Sequence, residues 1–159
     1  MNQGPGWTDR IVQCIYWVAY RLHLLWTFVF RPATEGVWIA VWHQGQLLLI
    51  KNSYRRFITL PGGGMDNGET PLAAAIRELR EEVGIEASQT DLSLYKQYLS
   101  LCEFKHDRIN LFELELTEQP TIHIDNHEVS WAQITTGQDA LKLKLFPTLR
   151  VYLEDKQVR

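Results

Sequence analysis

The chain has few cysteines, no excess of basic charge and no evident secretory signal. Cys14 and Cys102 are too few for a disulfide framework, lack metal-ligand spacing and are typical of a reducing compartment. The net charge of −3, with no basic face, gives no reason to expect DNA binding. The first residues are polar or glycine and carry no clear cleavage site, which favours a cytoplasmic protein.

The sequence also lacks a long apolar run that is free of polar side chains. Residues 9–30 predict one helix that is apolar on most sides and ends before Pro32. Its length would suffice to cross a bilayer, but Arg21 and His23 lie in its middle. Because a central arginine costs about 2.5–3.5 kcal/mol, spanning is disfavoured. Three interpretations stay open: a helix packed on the domain, a peripheral membrane anchor, or a homodimer contact.

No repeat or low-complexity tract divides the chain, and its 159 residues predict one domain. With 45% hydrophobic and 22% charged residues, it can bury a core. We expect residues 1–31 to form an N-terminal apolar helix segment and residues 32–159 to form the domain. The predicted strands are 36–42, 47–51, 57–60, 92–104, 108–116 and 128–134, with a closing helix at 146–154. This order predicts an α/β fold in which helices pack on a mixed sheet.

Residues 61–85 combine a glycine-rich loop with a helix whose ends can be read from the sequence. Thr70 is a favourable N-cap, and Pro71 stands at the first helical position. Gly84 follows the last helical residue, where a left-handed conformation ends a helix. At about 100° per residue the apolar side chains share one stripe that can be buried: Leu72, Ala75, Ile76, Leu79 and Val83.

Three carboxylates, Glu78, Glu81 and Glu82, form a second stripe, turned away from the apolar one. At about 4 Å and an effective dielectric near 20, each close pair repels by about 4 kcal/mol. A hard divalent cation with oxygen ligands relieves this repulsion, and Mg²⁺ suits a site that keeps waters and shares substrate phosphates. The alternative is a solvated acidic helix face.

The run from residue 63 to residue 85 resembles the Nudix box, position for position, at nine specified positions. The flanking pattern extends the resemblance over about residues 36–154. The resemblance implies a Nudix-type α/β/α sandwich with a mixed sheet, here preceded by an extra N-terminal apolar helix. It also implies hydrolysis of a phosphoanhydride bond in a nucleoside diphosphate linked to another group, with Mg²⁺ or Mn²⁺ as cofactor.

The same resemblance implies roles for individual residues. Glu78, Glu81 and Glu82 would bind metal together with the backbone carbonyl of Gly62. Gly63 belongs to the loop that bends against this site, and Glu69 and Arg77 would brace the loop on the helix through a salt bridge.

The base that activates water stays open at this point. Glu82 is the first choice and Glu81 is a second box carboxylate, while Glu128 and Asp125 are carboxylates outside the box.

Residues before the glycine loop are candidates for substrate contacts. Arg55 and Arg56 could bind phosphate through their guanidinium groups, and Tyr54 could stack on a base.

Two rival functions share the fold. A diphosphate isomerase would need a catalytic cysteine and extra histidine ligands that the sequence does not show. A sensor domain that binds a nucleotide derivative with weak or no catalysis remains the alternative, although such domains usually lose a box carboxylate. The substrate itself is not encoded in any recognisable signature.

Overall fold

The computed structural model describes residues 6–124 and 126–157. Four α-helices are present in this part of the chain: α1 (Trp7–Phe30), α2 (Pro71–Val83), α3 (Gly137–Leu141) and α4 (Pro147–Asp155). The strands are β1 (Ala33–His43), β2 (Gln46–Asn52), β3 (Leu92–Ser100), β4 (His106–Leu116) and β5 (Val129–Thr136). A 3₁₀ turn, Cys102–Phe104, joins β3 to β4.

The five strands form one sheet in the order β3-β4-β1-β2-β5. The central pair, β1 and β4, is parallel along its whole length, whereas the other pairs are antiparallel. A short connection cannot join parallel strands, and here β2, α2 and β3 intervene between β1 and β4. The predicted mixed sheet is therefore confirmed.

Helices cover both faces of this sheet. Along β1 the side chains alternate: Val37 and Ile39 pack in the core shared with α2, while Trp38 and Ala40 pack in the core shared with α4. Because both faces are buried, the strand reads as a continuous apolar run rather than as an alternating one. The predicted α/β/α sandwich is confirmed.

Helix α2 begins and ends where the sequence predicts. The Thr70 side chain accepts a hydrogen bond from the backbone N–H of Ala73, and Pro71 is the first helical residue. Gly84 ends the helix in a left-handed conformation with φ 70°, and the backbone N–H of Ile85 donates to the carbonyl of Leu79. The residues at the two ends of α2 are therefore sufficient to predict where this helix begins and ends.

Two strand predictions are wrong. Residues 57–60 form only single bridges, Thr59 to Ile50 and Ile58 to Leu145, because the segment crosses from the sheet to the glycine loop. The predicted strand 92–104 stops at Ser100. Its last residues turn instead, with left-handed backbone at Glu103 (φ 58°) and Phe104 (φ 60°), and this turn brings Glu103 to α1.

Helix α1 packs on the domain by one side, in agreement with the first of the three interpretations of the sequence. Tyr20 Oη donates a hydrogen bond of 2.7 Å to Glu103 Oε1, and Thr27 is fully buried. Phe28 meets Phe104 edge to face, with ring centroids 5.1 Å apart. Much of the helix nevertheless stays exposed. No helix among the described residues is both long and apolar enough to cross a membrane.

Candidate active site

The glycine loop lies along the middle of β1 and is held there by backbone hydrogen bonds. Val37 N–H donates to the carbonyl of Gly63 at 2.9 Å, and Ile39 N–H donates to the carbonyl of Pro61 at 2.8 Å. Gly62 has φ 145°, and a Cβ there would lie 2.1 Å from the Val37 carbonyl oxygen. The close contact of loop and strand therefore requires glycine at this position.

Glu82 fixes this loop to the helix. Its carboxylate accepts a 2.7 Å hydrogen bond from Gly62 N–H and a 3.3 Å bond from Asn52 Nδ2. Burial, followed by the neighbouring charges of Glu78 and Glu128, raises the pKa of the Glu82 carboxyl to about 8, against the lowering effect of the Gly62 bond. The sequence did not foresee this burial, because the covering loop is not a property of the helix alone.

Arg77 gathers the carboxylates around the loop. Its guanidinium holds Glu69 through two bonds, of 3.0 Å from Nε and 2.9 Å from Nη2. Nη1 reaches Glu78 at 2.7 Å and Glu81 at 3.3 Å, and Nη2 also donates to the carbonyl of Gly64. The Arg77 guanidinium thus donates hydrogen bonds to three carboxylates and to the glycine loop.

The three carboxylates of α2 are in different surroundings. Glu78 is buried at the Gly63 backbone, and burial raises its pKa although the bond from Arg77 opposes this. Glu82 is buried as well, whereas the Glu81 side chain is 52% exposed. The acidic stripe therefore runs from the glycine loop out to solvent.

A cleft of about 440 Å³ opens over the glycine loop. Its lining includes the backbone of the loop and charged side chains of both signs from distant parts of the chain. The charged side chains are Glu35 from β1, Arg55, Glu103, Lys105 and Asp107 from β4, and the imidazole of His23 from α1 also lines the cleft. Of these, sequence reasoning identified only Arg55, since no local pattern marks the others.

Arg55 is one of the two cationic side chains that line this cleft, and it is mostly buried. Its Nε lies 3.6 Å from Glu103 Oε1, too far for a hydrogen bond, and is buried without a hydrogen-bond partner among the described residues. The same Glu103 oxygen accepts the bond from Tyr20 Oη. Arg55 therefore keeps an unsatisfied N–H donor beside the cleft, in a position set by a carboxylate that α1 holds.

The other predicted substrate contacts have different surroundings. Tyr54 donates a 2.6 Å hydrogen bond to Glu128 Oε1, and its ring packs against Tyr16 and Tyr20 of α1, at 5.9 and 5.1 Å between centroids. A base could stack on Tyr54 only by displacing these rings. Arg56 is exposed and faces a separate aromatic cleft beside α1, away from the glycine loop.

Glu128 lies close enough to the box carboxylates for its charge to raise the pKa of both Glu78 and Glu82. The structure thus brings Glu128 to the site from the loop before β5. Asp125, the alternative base, lies outside the described residues.

The donors present have the chemistry of a Mg²⁺ or Mn²⁺ site. Among residues 6–124 and 126–157, no three carboxylate, imidazole or thiolate side chains converge as a closed metal cage. Arg77 and Gly62 N–H hold the box carboxylates instead. Mg²⁺ does not require such a cage, because it usually binds through one or two carboxylates, waters and substrate phosphates. Two buried carboxyl groups against the glycine loop that lines an open cleft fit that demand.

Comparison with known proteins agrees with this geometry. A family model described as the NUDIX domain matches residues 32–155. An ADP-ribose pyrophosphatase from Bacillus subtilis is 29% identical over 120 residues, which cover 71% of this chain and 63% of that protein. An RNA pyrophosphohydrolase from Psychrobacter cryohalolentis is 47% identical over 49 residues, 31% of this chain and 28% of that protein. The chain thus aligns with less than two thirds of either relative.

Solved structures share the fold. The Ap4A hydrolase of C. elegans, in a binary complex, superposes with a TM-score of 0.67 at 20% identity, covering 78% of this chain and 95% of that one. The family model matches well over half of the chain, and the glycine loop at the start of the box lines the cleft. The predicted family is confirmed, and the chain belongs to the Nudix family.

Proposed function

We propose that this protein hydrolyses a phosphoanhydride bond in a nucleoside diphosphate linked to another group, with Mg²⁺ or Mn²⁺ as cofactor. The observation that carries the proposal is the burial of Glu78 and Glu82 against the glycine loop that lines the cleft. Arg77 partly neutralises Glu78, whereas the hydrogen bonds that Glu82 accepts come from the neutral donors Gly62 N–H and Asn52 Nδ2. Burying a carboxylate without a cation costs free energy, which a bound metal would offset.

Glu78, Glu81 and Glu82 would hold the metal, with the carbonyl of Gly62 as a further oxygen donor. When bound, the metal neutralises the charge that develops on the phosphate oxygens and orients the attacking water. Hydrolases of this family generally use divalent metals.

The remaining residues would act on substrate and water. Arg55 lines the cleft and would bind a phosphate oxygen through its guanidinium group. Glu82, whose pKa is raised to about 8, would take the proton from water, and Glu128, which lies near the box carboxylates, is the alternative base. Glu69 and Arg77 keep the loop and the helix in register.

The relatives' names guide the choice of substrates to test. They refer to ADP-ribose, Ap4A and RNA pyrophosphates, all of which contain the phosphoanhydride group that the cleft would bind. We infer a small nucleotide diphosphate as the substrate, since the cleft of about 440 Å³ lies within the size range of small-molecule sites.

The test is product analysis over a panel of nucleoside triphosphates, ADP-ribose, sugar nucleotides, dinucleoside polyphosphates and capped RNA, with Mg²⁺, Mn²⁺ or chelator. We expect metal-dependent hydrolysis of at least one compound. Glu82→Gln should lower turnover by about 10²-fold or more, because a charge partner of the transition state is lost.

Glu86→Gln is the matched control, since Glu86 is exposed and follows the box. It should retain full turnover. Binding of a panel compound without hydrolysis would favour the alternative, a sensor domain, and equal turnover in both variants would reject the roles given to the box.

A further inference from the structure

Helix α1 carries an apolar seam that no other part of the described chain covers. The seam consists of Ile11, Ile15, Val18, Leu22, Leu25 and Val29, which are 46% to 68% exposed. Their spacings alternate between four and three residues, which is the a/d pattern of paired helices. At about 100° per residue they lie within one face of the helix.

The opposite face of α1 attaches it to the domain. Gln13, Tyr20 and Thr27, spaced by seven residues, lie about 180° from the seam. Gln13 donates to the carbonyl of Asn126 at 2.7 Å, Tyr20 donates to Glu103, and Thr27 is fully buried. The attachment of α1 to its own domain therefore turns the apolar seam directly outward.

We propose that α1 pairs with α1 of a second copy of this chain along the seam. Ile, Val and Leu at alternating four- and three-residue spacing fill the interface of two supercoiled helices. Aromatic side chains at the margins of the seam, Trp7 and Trp26, widen the surface that such a pair would bury. A standard interface buries about 800 Å² per partner, and the seam would contribute six exposed large side chains to it.

A lipid surface fits this helix less well. Interfacial helices are rich in Lys and Arg on their polar face, where they meet anionic headgroups. Between Trp7 and Phe30 only Arg10 and Arg21 are of this kind, and the polar face of α1 is already used against its own domain. The scarcity of basic side chains on α1 therefore favours a second helix over a lipid surface as the partner of the seam.

The seam covers about two and a half heptads, which is shorter than a self-sufficient coiled coil. The pairing is therefore expected to depend on concentration. It does not depend on the proposed hydrolase activity, because it concerns the face of α1 that points away from the cleft.

The experiment is light scattering coupled to gel filtration on the full chain, from low micromolar to several hundred micromolar. We expect a mass approaching twice the 18.5 kDa of one chain at high concentration. Leu22→Lys/Leu25→Lys should give the mass of one chain throughout. Leu94→Lys should behave as the wild type, since Leu94 is similarly exposed but lies on the edge strand β3.

A milder variant, Leu22→Gln/Leu25→Gln, weakens the pair without adding charge and covers the case in which the lysine variant misfolds. Circular dichroism and thermal melting verify that each variant keeps the fold. A wild type that stays at the mass of one chain overturns the proposal. So does a seam variant that folds and stays dimeric, or a monomer that sediments with phosphatidylserine vesicles, which would show a lipid partner instead.

Discussion

At the scale of single residues, the contact between Gly63 and Glu78 shows how closely the site is built. A Cβ on residue 63 would lie 2.5 Å from Glu78 Oε1, so the carboxylate occupies the space of a side chain. Gly64, one residue further, has nothing within 4 Å of such an atom. A side chain at residue 63 would therefore collide with Glu78, whereas a side chain at residue 64 has room.

Gly63→Ala should lower turnover by about 10²-fold, because displacement of a catalytic group by about 1 Å has that effect. Gly64→Ala, the same change without the contact, should stay within about twofold of the wild type. Steady-state kinetics and thermal melting of both variants decide the matter. Equal loss in both would mean that loop flexibility, rather than the position of Glu78, matters.

Arg77 is a second residue whose geometry is not interchangeable. Its planar guanidinium donates two parallel hydrogen bonds to Glu69 and a third to Glu78. Lysine cannot reproduce the pair of bonds, so Arg77→Lys should reduce the free energy of unfolding by about 1–2 kcal/mol. Denaturant unfolding measures this, with Arg80→Lys on the exposed side of α2 as control. An unchanged midpoint would show that the network contributes little to stability.

At the scale of elements, α1 links the N-terminal segment to the cleft. Tyr20 holds Glu103, and Glu103 pairs with Arg55 across 3.6 Å. Residues 7–30 lie outside the NUDIX match, yet through Glu103 they help to position Arg55, which lines the cleft. Sequence similarity to the family alone would not have connected this helix to the site.

Tyr20→Phe should therefore raise KM by about fivefold with little change in kcat, since it loosens a substrate contact by about 1 kcal/mol. Tyr98→Phe removes a comparable bond, of 2.9 Å to Asp155, away from the cleft. Its KM should stay at the wild-type value even if its melting temperature falls. A rise in KM for both variants, or for neither, would contradict the role of Tyr20.

The sequence predicted the helices and strands whose ends are marked by local residues. It did not predict features that depend on contacts between residues far apart in the chain. Thr70, Pro71 and Gly84 define α2 without any partner. The end of β3 was misjudged because apolar residues continue past Ser100, while the turn depends on a contact between Glu103 and α1. The box carboxylates were identified, but the burial of Glu82 was not, since it depends on Asn52 and on the loop.

At the scale of the whole molecule, the fold places an acidic helix, a glycine loop and a cleft at one end of the parallel pair β1 and β4. Val37 of β1 carries the loop through its backbone, and β4 supplies Asp107 to the opposite wall. Two carboxyl groups are buried there at a cost in free energy that the proposed divalent cation would offset. The proposed function depends on this compensation of buried negative charge by a metal ion.

The most direct test is calorimetric titration of the chelator-treated protein with Mn²⁺ and with Mg²⁺. We expect the wild type and Glu86→Gln to bind with equal affinity, and Glu82→Gln to bind at least tenfold more weakly. No uptake of either ion by the wild type, or equal affinity in all three proteins, would contradict the assignment of Glu82 to a metal site.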